Sequence, residues 1–396
     1  MLFLYPIVIF LYAIYSFALT DPNIVFFNNG LFLKFQQFMW GIGYGNRPLS
    51  SLMYTILILI IFAVYFYTVQ QIKTKKLSEK NASKILIFSI IMLIFSNPAL
   101  SHDIYNYIFN ARMVVDYQAN PHIKTAWDFT SDSWTRFVQN AHSPAPYGYG
   151  WTGLSIIPYL LGIKRLKTTI LAFKLLMGLF FYALIYFQKK LANIFKIKNA
   201  NLLIYTFALN PLVLIETFSN GHNDVVMMGL LLAAFYYFYT YFTQKKYYKL
   251  IVPVTLFIAS ISIKFASIVS LGGVAWWYLG GVVGLSLSFG FTNSIAHFSP
   301  LLTSRSQRFL PWYLIWSFSF FPLTKEKWLR KLLLAFSFSS LLSYVPSLYY
   351  PIFDLGEFES ILKIQRQQIA FITPFVVLLL TIVFSKLRKP TTKDKK

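Results

Sequence analysis

The chain of 396 residues contains no cysteine. Disulfides, thiolate nucleophiles, iron–sulfur clusters and cysteine zinc sites are therefore excluded in any compartment. Charge is also scarce. Only 12% of residues are Asp, Glu, Lys or Arg and 57% are hydrophobic, whereas roughly a quarter of a soluble globular chain is charged. That balance excludes a large water-soluble domain. No segment has metal-ligand spacing, a glycine-rich phosphate loop or a Ser-His-Asp signature. His102 and Asp103 are adjacent, and adjacent side chains do not make a chelate by themselves. No resident cofactor is expected, with a divalent cation left as an open alternative. Heptads, solenoid periods and low-complexity tracts are missing too, apart from the lysine-rich tail Thr391 to Lys396.

Acids are the scarcest charged residues: 13 Asp and Glu against 36 Lys and Arg give a net charge of +23 at pH 7. In a soluble protein this excess would suggest nucleic acid, but here its distribution is a topology signal. Five clusters, Lys73 to Lys84, Lys189 to Lys198, Lys245 to Lys249, Lys325 to Lys331 and Lys386 to Lys396, hold more than half of the basic residues. Glu79, Glu326 and Asp394 are the acids among them. The positive-inside rule puts these clusters in the cytoplasm, including a basic tail at 386–396, and leaves the opposite aqueous face rich in acids. No nucleic-acid partner is expected; the lipid bilayer is.

What the chain has in abundance is apolar segments, at about 2–19, 51–70, 85–100, 168–187, 201–219, 225–243, 250–271, 274–290, 311–323, 331–348 and 369–385. A crossing takes about 20 residues, so the expected fold is all-α: a polytopic transmembrane bundle of about 10 to 12 helices with external loops and interfacial helices, forming one integral membrane domain over 1–396. The first segment lacks a positive n-region and an Ala-x-Ala site, and reads as a retained helix. Trp151 to Ile163 makes a helix of only about 20 Å, which points to a re-entrant or interfacial segment. Between Lys264 and Arg305 no residue is charged, and one crossing, or a short hairpin plus a crossing, fits that stretch.

Polar chemistry concentrates at one face. The largest external loop, 101–150, carries Asp103, Asp116, Asp128 and Asp132 with His102, His122 and His142. If the residues after Pro98 form an interfacial helix, Asp103, Tyr107 and Asn110 share one face, and Tyr105 and Arg112 another. A carboxylate at the mouth of a membrane cavity can deprotonate a hydroxyl; alternatively Asp103 caps a helix and the tyrosines form an aromatic belt. In a second group, Asn210-Pro211-Leu212 precedes Glu216 and the turn Asn220-Gly221-His222-Asn223-Asp224. A tight Asn-Gly turn with Asp224 capping the next helix explains part of it, but not Glu216 or His222. Third are cations: Lys264 within an apolar stretch, and Arg305 and Arg308 ahead of Pro311-Trp312-Tyr313. A lipid phosphate is the natural anion for them, and snorkelling or interfacial anchoring the alternative.

Taken in chain order, Asp103-Ile104-Tyr105-Asn106-Tyr107 with Arg112, Asn120-Pro121, Tyr147-Gly148-Tyr149-Gly150-Trp151, and Asn210-Pro211-Leu212 with Glu216 and Gly221-His222-Asn223-Asp224 resemble the GT-C superfamily of membrane glycosyltransferases. They look most like bacterial α-mannosyltransferases that draw mannose from a polyprenyl phosphate. Lys264 and Pro311-Trp312-Tyr313 with Trp316 extend the match to roughly residues 85–320. The resemblance implies a GT-C-like fold and an inverting hexosyltransferase of the cell membrane, acting on the external face through the loop 101–150. Its donor would be a polyprenyl-phosphate-linked sugar and its acceptor a glycan or glycolipid. Carried over by position, Asp103 is the catalytic base. Tyr105, Tyr107, Arg112, Glu216, His222, Asn223 and Asp224 line the sugar or acceptor site, and Lys264 and Arg308 face the donor phosphate. The sequence departs from the family where Ala111 replaces a usual Gly, His122 a usual Tyr and Tyr149 a usual Pro. From another class, a transporter or flippase of lipid-linked precursors would place polar residues near the midplane, often in repeated halves, and no repeat is seen. A scaffold without catalysis is the third reading.

Overall fold

The computed structural model describes residues 3–22, 24–269, 310–350 and 357–387, and all the regular structure among them is helical. Four helices are long and apolar enough to cross a bilayer: α3 (Arg47–Lys73), α7 (Leu166–Ile194), α10 (Asp224–Thr243) and Lys327–Tyr349. Ala200–Ala208 and Pro211–Ser219 together are as long, but meet at 53°. Leu4–Leu19, Tyr247–Ile263 and Ile364–Leu380 are shorter apolar helices. The all-α membrane bundle expected from composition is therefore the architecture found. The apolar segment 274–290 and both Arg305 and Arg308 lie outside the described residues.

Several segments depart from straight spans, each for a local reason. Pro211 breaks the fifth span because it lacks an N–H and crowds the preceding turn. Asn210 repairs the break: its Oδ1 accepts from the Leu212 N–H at 3.0 Å, and its Nδ2 donates to Ser337 Oγ at 2.9 Å. A π-helical turn, Ile215–Ser219, follows. The stretch 311–323 is three short turns, Pro311–Tyr313, Leu314–Phe318 and Phe321–Leu323, rather than a continuous helix. Pro311 and Pro322 stand at the start of two of them. The short segment after Gly150 is α6 (Tyr149–Leu161), 13 residues or about 20 Å.

Lys174 interrupts the apolar run of α7 and is fully buried. Its ammonium donates to the carbonyls of Leu93, Ile94 and Ser96 at 3.2, 3.2 and 2.6 Å. These carbonyls close α4 (Glu79–Ile94), so the lysine satisfies the unpaired end of a neighbouring helix and complements its dipole.

The basic turns gather at one end of the bundle. Asn201 Nδ2 donates to Glu79 Oε1 at 2.8 Å, and Tyr205 donates to the Glu79 carbonyl at 3.0 Å, so the turns at 74–79 and 195–200 are neighbours. Helices α7 and α10 run from the opposite end towards that one. At the opposite end the polar loops meet. Ser96 Oγ donates to Ser219 Oγ at 2.8 Å, Ser219 Oγ to the Asn97 carbonyl at 3.1 Å, and the Leu100 N–H to Asn220 Oδ1 at 3.2 Å.

Two glycines allow α6 to begin against α11 (Ile251–Ile263). A Cβ on Gly148 would lie 2.0 Å from the Ser262 carbonyl oxygen, and one on Gly150 would lie 2.0 Å from Ser262 Oγ. The Gly148 N–H also donates to the Ile263 carbonyl at 3.1 Å. Gly148→Ala must push backbone away from backbone, so it is expected to destabilise the fold by more than about 2 kcal/mol. A lower melting temperature and a lower yield of monodisperse protein, compared with Gly153→Ala, check this, since a Cβ on Gly153 meets nothing within 4 Å.

Candidate active site

Stitching the loop after Pro98 to the turn at Ser219 and Asn220 fixes where the next helix begins. Helix α5 (Asp103–Tyr117) starts with Asp103, whose N–H donates to Ser101 Oγ at 3.2 Å. Gly221, with φ of +73°, carries the turn beneath α5, and a Cβ there would sit 2.7 Å from Ile104 Cδ1. The left-handed backbone and the close approach both require glycine. His222 is thereby presented to Asp103.

A line of alternating charge results. His222 Nδ1 lies 3.4 Å from Asp103 Oδ2, and His222 Nε2 lies 3.3 Å from Glu216 Oε2. Glu216 is in turn held by Asn220 Nδ2, which donates at 2.8 Å, and by the Tyr344 hydroxyl, which donates at 3.0 Å. The His222 ring stacks on Trp312, with centroids 3.8 Å apart and planes at 18°. Glu216 and His222 have no exposed surface, whereas the Asp103 side chain is 18% exposed. Asp103 is the open end of this line.

Electrostatics follow from the geometry. Burial alone would push the His222 imidazole down, but Asp103 and Glu216 on its two sides raise it to about 9. Burial pushes Asp103 up, yet His222, together with the charge of Lys264 and the hydroxyl of Tyr147, brings it below the usual carboxylate range. At neutral pH Asp103 is thus an ionised carboxylate facing an imidazolium.

A second buried pair adjoins the first. Lys264, where α11 gives way to extended backbone, donates to both Asp224 oxygens at 2.9 Å. Trp316 Nε1 also donates to Asp224. The Lys264 ammonium lies 5.6 and 5.7 Å from the rings of Tyr147 and Tyr313. Tyr107, on the Asp103 face of α5, donates to Asn223 Oδ1 at 3.3 Å and meets Tyr147 and Trp151 edge-on, each with centroids 4.9 Å away.

The structure thus brings together Asp103, Tyr107, Glu216, His222, Asn223, Asp224 and Lys264. It gives several of them different neighbours from those expected. Glu216, His222, Asn223 and Asp224 are fully buried and form a backing layer behind Asp103, not an open sugar-lining wall. Two expected site residues lie elsewhere. Tyr105 points off the other face of α5, its ring 5.6 Å from His102 and 6.1 Å from Phe137. Arg112 is one of a separate set: its Nε donates to Asp132, its Nη1 lies 3.4 Å from Asp116 and donates to the Tyr159 hydroxyl at 3.3 Å, and its guanidinium covers Trp134 at 4.5 Å. Tyr117 and Lys164 complete that set, on Asp132 and Asp116 respectively. Arg112 therefore braces the loop that follows α5 against α6. Arg308 lies outside the described residues. Among the described residues, no group of three or more His, Asp or Glu side chains is arranged to hold a metal ion.

A family model described as "Alpha-(1->6)-mannopyranosyltransferase, N-terminal domain", of the MptA/B family, matches residues 27–280. The chain belongs to this family. Membership makes this α-(1→6)-mannopyranosyltransferase-family protein a membrane glycosyltransferase of the mannosyltransferase class, as the resemblance implied. The matched stretch contains Asp103, Glu216, His222, Asp224 and Lys264. No curated protein and no solved structure matches the chain. Sequence reasoning left the roles of Trp312, Trp316 and Tyr344 unassigned, although the first ring stacks on His222, the second donates to Asp224 and the third holds Glu216. All three come from beyond the matched stretch. Tyr344 carried no sequence signal, being one aromatic residue in an apolar run.

Proposed function

We propose that this mannosyltransferase-family protein moves a hexose, mannose in the first instance, from a polyprenyl-phosphate-linked donor to a hydroxyl of a glycan or glycolipid acceptor. The observation that carries the reading is Asp103, a partly exposed carboxylate backed by His222 and Glu216. The acceptor oxygen attacks the anomeric carbon, its proton passes to Asp103, and the bond from that carbon to the phosphate oxygen breaks, leaving the electron pair on the polyprenyl phosphate. Attack from the side opposite the leaving group inverts the anomeric centre. His222, as imidazolium, holds the carboxylate ionised and oriented. Lys264 spends two N–H groups on Asp224 and keeps one for charge building on the leaving phosphate. The positive-inside pattern supports a site on the external face, because the basic turns lie at the other end. Lys174 supports an enzyme over a transporter, since it satisfies helix carbonyls rather than waiting for cargo.

Membranes containing the protein, supplied with labelled polyprenyl-phosphate-mannose and, in parallel, polyprenyl-phosphate-glucose or GDP-mannose, test the donor class. The expected result is labelled glycan from the mannosyl lipid and none from the nucleotide. Transfer from GDP-mannose without the lipid would overturn the reading, and movement of intact lipid across the bilayer without transfer would favour the flippase.

A further inference from the structure

A groove apart from Asp103 opens where residues 24–26, the turn at 133–137 and the start of α7 converge. Its cavity, about 530 Å³, is walled by Phe26, Trp134 and Phe137 and carries three cations, Arg136, Arg165 and Lys167. No acid lines it. Among the described residues none of the three cations is in an ion pair. The nearest carboxylate in sequence, Asp132, is already occupied by Arg112, the Tyr117 hydroxyl and the Trp134 N–H. Helix α7 begins at Leu166 without a side-chain cap, which adds the positive end of a 29-residue helix to the same potential.

These cations stand at the end opposite the basic turns, where Arg112, Lys124, Lys164 and Lys264 are each paired with an acid. An anion is the chemistry that would recognise them. The apolar flank says what kind. Val25 and Phe27 are 51% and 55% exposed at the groove, and the Lys167 ammonium lies 4.3 Å above the Phe27 ring. A free phosphate has no use for that surface, whereas a lipid chain does.

We propose that this groove binds the phosphate of an anionic lipid, with Arg136, Arg165 and Lys167 around the headgroup and its hydrocarbon chain along Val25 and Phe27. Its inner wall touches the back of the active helix, since Phe137 packs on Tyr105 of α5 with ring centroids 6.1 Å apart. The site is independent of the transfer reading, because lipid binding is measured without any reaction.

The test titrates the full chain in neutral detergent with dioleoyl phosphatidylglycerol or dioleoyl phosphatidylcholine and reads bound lipid by native mass spectrometry. The parent should bind the anionic lipid at least about tenfold more tightly than the zwitterionic one. The R136Q/R165Q/K167Q variant should lose that preference, while K124Q, which removes a cation elsewhere on the same loop, should keep it. Millimolar inorganic phosphate should not displace the lipid. If the triple variant does not fold, R165Q and K167Q singly should each show a smaller loss of the same sign. Equal binding of the two lipids, an unchanged preference in the variants, or displacement by inorganic phosphate would each overturn the proposal.

Discussion

Asp103→Asn is expected to lower mannosyl transfer by about 10²- to 10⁴-fold, the range over which a positioned general base contributes. The substitution keeps the size and shape of the side chain and the start of α5, but it removes the atom that takes the proton. The Asn oxygen can still face His222, and Glu216 still balances the imidazolium from its other side, 3.3 Å away. The folded protein should therefore remain abundant, which separates a catalytic loss from a structural one. Asp103 titrates below the ordinary carboxylate range in the folded protein, so its contribution to stability is present above that range and is lost as pH falls through its folded value. At neutral pH the melting temperature of Asp103→Asn should accordingly be modestly lower, while transfer is nearly abolished. A melting temperature that collapses together with activity would point to a capping role instead.

His222→Gln should carry the second-largest effect, a fall of about 10- to 100-fold, with a change in the pH profile that a packing defect would not cause. The imidazole sits between two carboxylates and is raised from its ordinary value to about 9. The sign is that of a raised base: protonation stabilises the fold fully below the unfolded value near 6.5, and that stabilisation is lost as pH rises through about 9. Over the same range Asp103 and Glu216 lose the cation between them and repel each other. The parent's rate should then decline above about pH 9, a limb that His222→Gln should lack and Glu216→Gln should move towards the ordinary histidine range. A parent profile that is flat through pH 9, or the same limb in His222→Gln, would contradict this account.

Much of this arrangement was legible in the sequence because it is carried by scarcity. With 13 acids in the chain, Glu216 within an apolar segment and Asp103 soon after the apolar segment that closes at Pro98 stood out, and the positive clusters marked one end of the bundle. The spacing of four that puts Asp103 and Tyr107 on one helix face is the spacing observed. What the sequence did not disclose depends on tertiary approach. Tyr344 reaches Glu216 across 128 positions of the chain, and Trp316 reaches Asp224 across 92. Tyr344 has no local signal, because an interior aromatic in an apolar run reads as packing, and Trp316, which extends the family resemblance, does not disclose its partner. The same gap explains Arg112: Asp116 is four residues on along its own helix, but Asp132 and Tyr159, which complete the brace between the loop and α6, lie 20 and 47 positions away. It also explains Lys174, a cation whose charge answers helix carbonyls instead of an acid.

In the proposed reaction a sugar leaves a lipid phosphate at Asp103 in a single displacement. The most direct measurement uses the purified protein, synthetic polyprenyl-phosphate-mannose of known anomeric configuration and a mannosyl acceptor, with the new linkage assigned by NMR. The expected result is a mannosyl product of inverted configuration, formed by the parent and not by an equally abundant Asp103→Asn variant. A product of retained configuration, or one formed at an undiminished rate without the carboxylate, would contradict it.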